Sequence, residues 1–149
     1  MKLEMCQKKG IDGIEIEIRY ELMTEQLAHI VNYIQQSEYV IEGFSDNKIC
    51  YIPLNDIMYF DIANRKTFIY TANNVCECKK NILAIENELS NTTIIRISKS
   101  TLLNISALVG VKPYPNHRLL AELHNGEFLI VSRKYIPALQ EKIRSEYRV

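Results

Sequence analysis

Between Tyr39 and Lys79 the chain reads "YVIEGFSDNKICYIPLNDIMYFDIANRKTFIYTANNVCECK". Five short runs, "YVIEGF", "KICYIPL", "DIMYFDIA", "TFIYT" and "VCECK", are rich in β-branched and aromatic residues, and "SDN", "ANRK" and "ANN" punctuate them. Branched and aromatic side chains suit a pleated, half-buried surface, while Asn, Asp and Ser accept the backbone conformations that turns demand. The stretch therefore predicts successive strands. The same pattern resumes downstream with "ALVGVKP", the turn "YPNH", "LLAEL", an Asn125-Gly126 hairpin signal and "FLIVS". Strands roughly every 8–12 residues with few helices between them indicate antiparallel β structure, a sandwich or barrel, rather than an alternating α/β scaffold.

Helices are expected at three places. "MTEQLAHIVNYIQQSE" puts Leu27, Ile30, Val31 and Ile34 at helical spacing behind a candidate N-cap, Thr24. "NILAIENELS" has Asn81 as cap and Ile82, Ile85 and Leu89 on one face. The terminal "RKYIPALQEKIRSEY" carries Ile136, Leu139 and Ile143, with Pro137 tolerable in a first turn. Ahead of the first helix, "GIEIEIRYE" alternates Ile14, Ile16 and Ile18 with Glu15, Glu17 and Arg19, which predicts a half-buried strand.

A chain of 149 residues suits one domain with an appendage. No apolar run reaches the roughly 20 residues that span a bilayer, and "MKLEMCQKKG" has no signal-peptide core, so the chain reads as cytoplasmic. In that setting Cys6, Cys50, Cys76 and Cys78 are read as buried thiols, and His29, His117 and His124 are too scattered to complete a zinc site. The net charge of zero hides a change of sign. Residues 1–44 hold four Lys or Arg against eight Asp or Glu, whereas residues 45–149 hold 14 against 10. An acidic appendage followed by a mildly basic working domain is expected.

Catalytic equipment is sparse. The five glycines are isolated, and neither a nucleophile elbow nor an HExxH helix occurs. The reading is a protein that binds and is not an enzyme, with no cofactor. Basic residues, by contrast, gather where strands end. Arg65 and Lys66 precede "TFIYT", and Arg133 and Lys134 follow "FLIVS". In "IIRISKSTLLN", residues 94–104, Ile95 and Ile97 alternate with Arg96 and Ser98, and then Lys99 falls where an apolar residue was due. Loops held by a rigid sheet could bring these groups together as a ridge that follows a phosphate backbone.

"IIRISKSTLLNISAL" followed by "LHNGEFLIVSRKYIPALQEKI" strongly resembles the LytTR family of bacterial DNA-binding domains, in which an Arg-x-x-Lys-Ser-x-x-x-Asn stretch precedes a Ser-Arg-x-Tyr segment and a short helix. Here those positions are Arg96, Lys99, Ser100 and Asn104, then Ser132, Arg133 and Tyr135, and "LNDIMYFDIANRKTFIYT" resembles the family's earlier strand pair. The resemblance covers about Phe44 to the C-terminus. It implies a mainly β fold, an elongated stack of small antiparallel sheets with short helices, preceded here by a strand-helix extension. Residues 1–43 would form that extension, a dimerisation or partner surface, and residues 44–149 the DNA-binding domain. Relatives often carry a receiver domain, for which the residues ahead of the match are too few.

The function implied is a sequence-specific regulator of transcription. Its loops would enter successive major grooves of double-stranded DNA at direct repeats, on bent DNA, without a recognition helix. Lys66, Lys99 and Arg133 match the base-reading loops, Arg133 being best suited because its guanidinium can bond guanine O6 and N7 together. In the first loop Arg65 and Thr67 remain alternatives to Lys66. Arg96 and Lys134 would clamp phosphates, while Ser100 and Asn104 would hold either phosphate oxygens or the loop's own backbone. A homodimer on DNA and a membrane-protein partner that restrains the regulator are further implications. The competing reading is a non-enzymatic β-domain whose basic loops bind an acidic protein or a small ligand.

Overall fold

The structure is a computed structural model, in which residues 1–147 are described; the last two positions of the expected 44–149 domain lie outside them. A first helix, α1 (Glu25–Gln36), is capped as expected, the Thr24 hydroxyl accepting a hydrogen bond from the Leu27 amide at 3.1 Å. Then come β1 (Val40–Ser45), β2 (Lys48–Pro53), β3 (Ile57–Ala63), β4 (Lys66–Thr71) and β5 (Val75–Cys78). Helix α2 (Ile82–Glu88) leads to β6 (Ile94–Arg96), β7 (Thr101–Asn104), β8 (Leu108–Tyr114), β9 (Arg118–Leu123), β10 (Phe128–Val131) and α3 (Ile136–Tyr147). All strand pairings are antiparallel, in two sheets: seven strands ordered β2-β1-β5-β4-β3-β7-β6 and three ordered β10-β9-β8.

Two-residue turns close the β1–β2 and β3–β4 hairpins, and a three-residue turn, Pro115 to His117, closes β8–β9. Asp46-Asn47 and Asn64-Arg65 in the first two, and Asn116-His117 in the third, all have positive φ. Left-handed backbone at both positions matches the twist of the flanking strands. Asn and Asp tolerate it; Arg65, at φ 64°, is an arginine held where an L side chain is disfavoured. The Asn125-Gly126 signal marks a slightly longer turn, in which only Gly126 has positive φ and the Leu123 amide donates to the Glu127 carbonyl.

Each face of the large sheet is covered by a different partner. On one face Ile52, Ile57, Phe60, Ile69, Cys76 and Cys78 lie under Ile82, Ile85 and Leu89, the apolar stripe of the α2 segment. On the other, Met58, Tyr59 and Leu103 meet Ala121, Leu123 and Val131 of the small sheet and Leu139 of α3. Strand β3 feeds both cores because strand side chains alternate, with Ile57 and Phe60 on one side, and the slip in its pairing with β4 between Ile57 and Tyr59 lets the consecutive Met58 and Tyr59 share the other. Tyr59 stacks on Tyr70 with ring centroids 4.3 Å apart and donates its hydroxyl to Glu127 at 2.7 Å, tying the sheets together.

Three expectations need correction. Residues 14–18 form no strand: every residue from Met1 to Leu22 is exposed, and the segment joins neither sheet. Period-two alternation makes a strand only where a neighbour supplies the ladder of hydrogen bonds. Second, the boundary between residues 43 and 44 falls inside β1, and α1 is built into the folded unit rather than appended to it. Gln36, 6% exposed, donates to the Thr93 hydroxyl at 3.0 Å and accepts from the Thr93 amide at 2.6 Å. Third, Cys76 and Cys78 are buried but Cys6 is exposed and Cys50 only partly covered. Burial pushes the Cys76 and Cys78 thiols up in pKa, away from the reactive thiolate.

Candidate nucleic-acid interface

Antiparallel pairing decides which loops share an end of the large sheet. Ala63 faces Lys66, Asp61 faces Thr101, Arg96 faces Leu102 and Thr67 faces Cys78. The β3–β4 turn, the β6–β7 loop and the exit of β5 therefore project from the same end. Two backbone bonds complete the set. The Ile62 amide donates to the Ser100 carbonyl at 3.0 Å, holding the β6–β7 loop beside the β3–β4 turn. The Ser132 amide donates to the Ile97 carbonyl at 2.9 Å, holding the segment that carries Arg133 and Lys134 beside the β6–β7 loop.

The three basic segments thus run side by side, in the order Arg65-Lys66, Lys99, Arg133-Lys134. All five side chains are exposed. Among the described residues, Arg65, Lys99, Arg133 and Lys134 take part in no ion pair, and Lys66 only reaches Glu77 at 3.9 Å. Lys134 lies 5.5 Å from the ring of the half-buried Tyr135, which packs rather than projects. Unpaired cations on a rigid edge raise the local attraction for a polyanion without the desolvation cost of breaking existing pairs.

Three of the expected contact residues are turned inward, and a fourth, Ser100, is half-buried in the loop itself. Asn104 is 0% exposed and lies at the far end of β7, opposite Ile94. Its amide nitrogen donates to the Ile57 carbonyl at 2.8 Å and the Leu54 carbonyl at 3.3 Å, and its oxygen accepts from the Thr93 hydroxyl and from the Ser106 amide and hydroxyl. With its bonding capacity filled inside the protein, it holds the fold and cannot reach a phosphate. Thr67, at 6% exposure, faces the same core as Cys78, because the side chain after Lys66 must turn to the opposite side of the strand.

Arg96 is also turned inward: its side chain is 16% exposed, its Nε donates to Glu86 at 2.7 Å, and Nη1 donates to the Lys99 carbonyl at 2.7 Å. It braces the loop that presents Lys99. Ser100 is half-buried in a hydroxyl cluster with Ser98 and Thr101, and the Thr101 hydroxyl donates to Asp61 at 2.9 Å. These bonds fix the loop's shape, leaving Lys99 as its exposed tip.

One cation was missed in reading the sequence. Lys79 follows directly on Cys78 and so stands beside the start of β4, extending the row, with its ammonium 4.3 Å above the Phe44 ring. The run "VCECKK" contained the signal, since a basic pair closing a strand lands wherever that strand's neighbour begins. Lys80 is less available, being held by both oxygens of Glu88 at 2.9 Å.

Basic loops mounted on the end of an antiparallel sheet define a polyanion-binding β-module; among the described residues no two α-helices follow one another directly, as a helix-turn-helix would need. The chain belongs to the LytTr DNA-binding domain family, whose pattern matches residues 47–144. It is similar to the LytTr DNA-binding domain of a Bacillus cereus chain described as a methyl-accepting/DNA response regulator, with 20% identity and a TM-score of 0.67 over 71% of this chain and 97% of that one. Two uncharacterised HTH-type transcriptional regulators of Staphylococcus aureus, from strains bovine RF122 / ET3-1 and NCTC 8325 / PS 47, are each 24% identical over 145 residues, 96% of this chain and 98% of theirs. The similarity to these two therefore extends ahead of residue 47.

Proposed function

We propose that this protein is a sequence-specific regulator of transcription that binds double-stranded DNA through the cationic end of its large sheet, without catalysis. Lys66, Lys99 and Arg133 read base edges. Arg65 and Lys134, joined by Lys79, meet phosphates, and the amide and hydroxyl groups around Ser100 shape the central loop. Arg96, Thr67 and Asn104 act from inside, by holding these loops in place.

The size of this edge supports loop insertion into successive major grooves, with bending. Four strand spacings separate β5 from β6, about 19 Å at the usual separation, whereas successive turns of a duplex are about 34 Å apart. The segment carrying Arg133, and the arginine and lysine side chains themselves, extend the row towards that length. Grooves that curve toward the protein bring both ends of the row into contact, so deformable sequences between the contacts are favoured. Direct repeats allow two copies to bind one face of such a site, and a membrane protein that sequesters the chain would keep it from DNA.

The single observation that carries the proposal is the pair of backbone bonds, Ile62 to Ser100 and Ser132 to Ile97, which sets three sequence-distant basic segments side by side. Selection of bound fragments from a random duplex library tests it. The expected outcome is an enriched motif, present twice in the same orientation, bound on the order of 10³-fold more tightly than random duplex. Absence of any enriched motif overturns it, and capture of an acidic protein by the same loops would then identify the competing use.

A further inference from the structure

We infer that Glu86, on α2, is a positioning residue for the Lys99 loop and a determinant of sequence preference, although its own charge repels a phosphate backbone. The inference rests on the DNA-binding reading and names a residue, away from the cationic row, that sets its selectivity.

Strand geometry brings Glu86 to the loop. Ile94 packs in the core beneath α2, and side chains two apart on a strand share a face, so Arg96 emerges under the same helix. There Glu86, next to the buried Ile85, meets it. Arg96 Nε donates to Glu86 Oε2 at 2.7 Å, and Nη1 donates to the Lys99 carbonyl at 2.7 Å. The side chains of Arg96 and Glu86 are 16% and 34% exposed, so salt weakens this pair less than it weakens a fully solvated one.

The rest of the loop is tied down by other bonds. The Ile97 amide donates to the Thr101 carbonyl at 3.0 Å and closes it, the Ser100 amide donates to the Ser98 hydroxyl at 3.2 Å, and the Ile97 and Ser100 carbonyls accept from Ser132 and Ile62. Among the described residues, Arg96 supplies the one hydrogen bond made to Lys99 itself. Without it, the residue that carries the exposed ammonium would pivot between Ser98 and Ser100.

Arg96 by itself would not keep that bond once DNA arrives. A guanidinium bonds an ionised phosphate more strongly than a neutral carbonyl, and a long, flexible side chain can swing out to take one. Glu86 opposes the exchange, because the departure of Arg96 would strip a partly shielded carboxylate of its charged partner. The acid therefore lowers the general attraction of this edge for DNA while keeping Lys99 where it meets a particular base.

Glu86→Ala in the full chain tests the inference, because two roles predict opposite signs. A charge acting only at a distance would, once removed, raise affinity for selected and random duplex alike. Positioning predicts a gain on random duplex but a loss on the selected site, so that their ratio falls by about tenfold, within the range spanned by loss of a base contact. Glu86→Gln, which can still accept from Arg96, should fall in between. In an Arg96→Ala background, Glu86→Ala should leave the ratio unchanged, since the brace is already gone. Amide hydrogen exchange on the free protein reads the loop without DNA: Glu86→Ala should speed exchange at Ser100 and Ile62 several-fold and leave the β1–β2 hairpin unaffected. A urea unfolding curve verifies that each variant folds. Parallel gains on both duplexes, an equal fall in the ratio with and without Arg96, or unchanged exchange at Ser100 and Ile62 overturns the inference. A wild type without any preferred duplex overturns the DNA-binding reading, and with it the part on sequence preference; exchange then decides by itself whether Glu86 holds the loop.

Discussion

Strand β7 is four residues long, and its two ends live in different chemical worlds. At its start, Lys99 opens toward solvent beside Arg65 and Arg133, a place with surplus positive charge. At its finish, Asn104 has no exposure and is bonded to Thr93, Ser106 and the Leu54 and Ile57 carbonyls, while Thr93 is bonded in turn to Gln36 of α1. One end is poised to gain a partner and the other has completed its bonding internally. A binding edge can keep unpaired charges only if the structure behind it is rigid, since loose loops would lose the gain to ordering entropy. The saturated network at the far end supplies that rigidity.

Substitutions at the two ends should separate stability from recognition, and the largest effect belongs to the buried end. Asn104→Ala strands several buried donors and acceptors and should cost about 2–4 kcal/mol of stability, seen as a lower urea midpoint, with DNA specificity intact wherever the variant is folded. Loss of specificity with stability preserved would instead put Asn104 at the interface. Arg133→Ala should do the opposite, costing about 1–3 kcal/mol in binding to the selected site and relaxing discrimination at one base pair, with an unchanged unfolding curve.

Lys134→Ala refines the division within the exposed end. It should weaken selected and random duplex alike and reduce the dependence of log affinity on log salt by about one. If Arg133→Ala and Lys134→Ala prove indistinguishable in a salt titration, the division into base reading and phosphate holding fails. Arg65→Gly is a smaller effect with a diagnostic sign. Relieving the left-handed arginine should raise stability by roughly 0.5–1 kcal/mol while lowering affinity for random duplex, because the cation is gone. A fall in both would mean that the Arg65 side chain is needed by the turn itself.

The smallest effect lies between the two sheets. Burial, reinforced by the hydrogen bond to Glu127, raises the Tyr59 pKa above the usual phenol value, and burial does the same at Tyr70. A raised folded-state pKa means that this contribution is intact below the unfolded value. It is lost as pH rises past about 10, where the unfolded phenol ionises and the folded one resists. Tyr59→Phe should therefore flatten the alkaline decline in thermal midpoint, and an unaltered slope would show that Tyr59 is not among its causes.

Much of this was readable locally. Thr24 and Asn81 cap helices through their own neighbours, so their roles need only a few residues of context. Strand alternation, the hairpin pairs and the clustering of Arg65, Lys66, Lys99, Arg133 and Lys134 at strand ends were equally legible. Ser100 and Asn104 show where legibility stops: both are small polar residues in one short motif, yet one stands at the loop and the other is sealed at the far end of the strand. Arg96 looked like a free cation because Glu86 is ten residues away, on another element. Lys79 went unnoticed because its place beside Lys66 depends on the pairing of β5 with β4.

The order of residues alone settled where the strands of the two sheets turn, which helices are capped and which side chains carry the positive charge, because those outcomes follow from interactions within a few positions. Tertiary structure decided which of the charges remain free, which polar groups are consumed in holding the sheet, and that residues 14–18 gain no strand within their own chain. Each of those outcomes depends on a partner that arrives from far along the chain, and local pattern does not encode whether such a partner will be there.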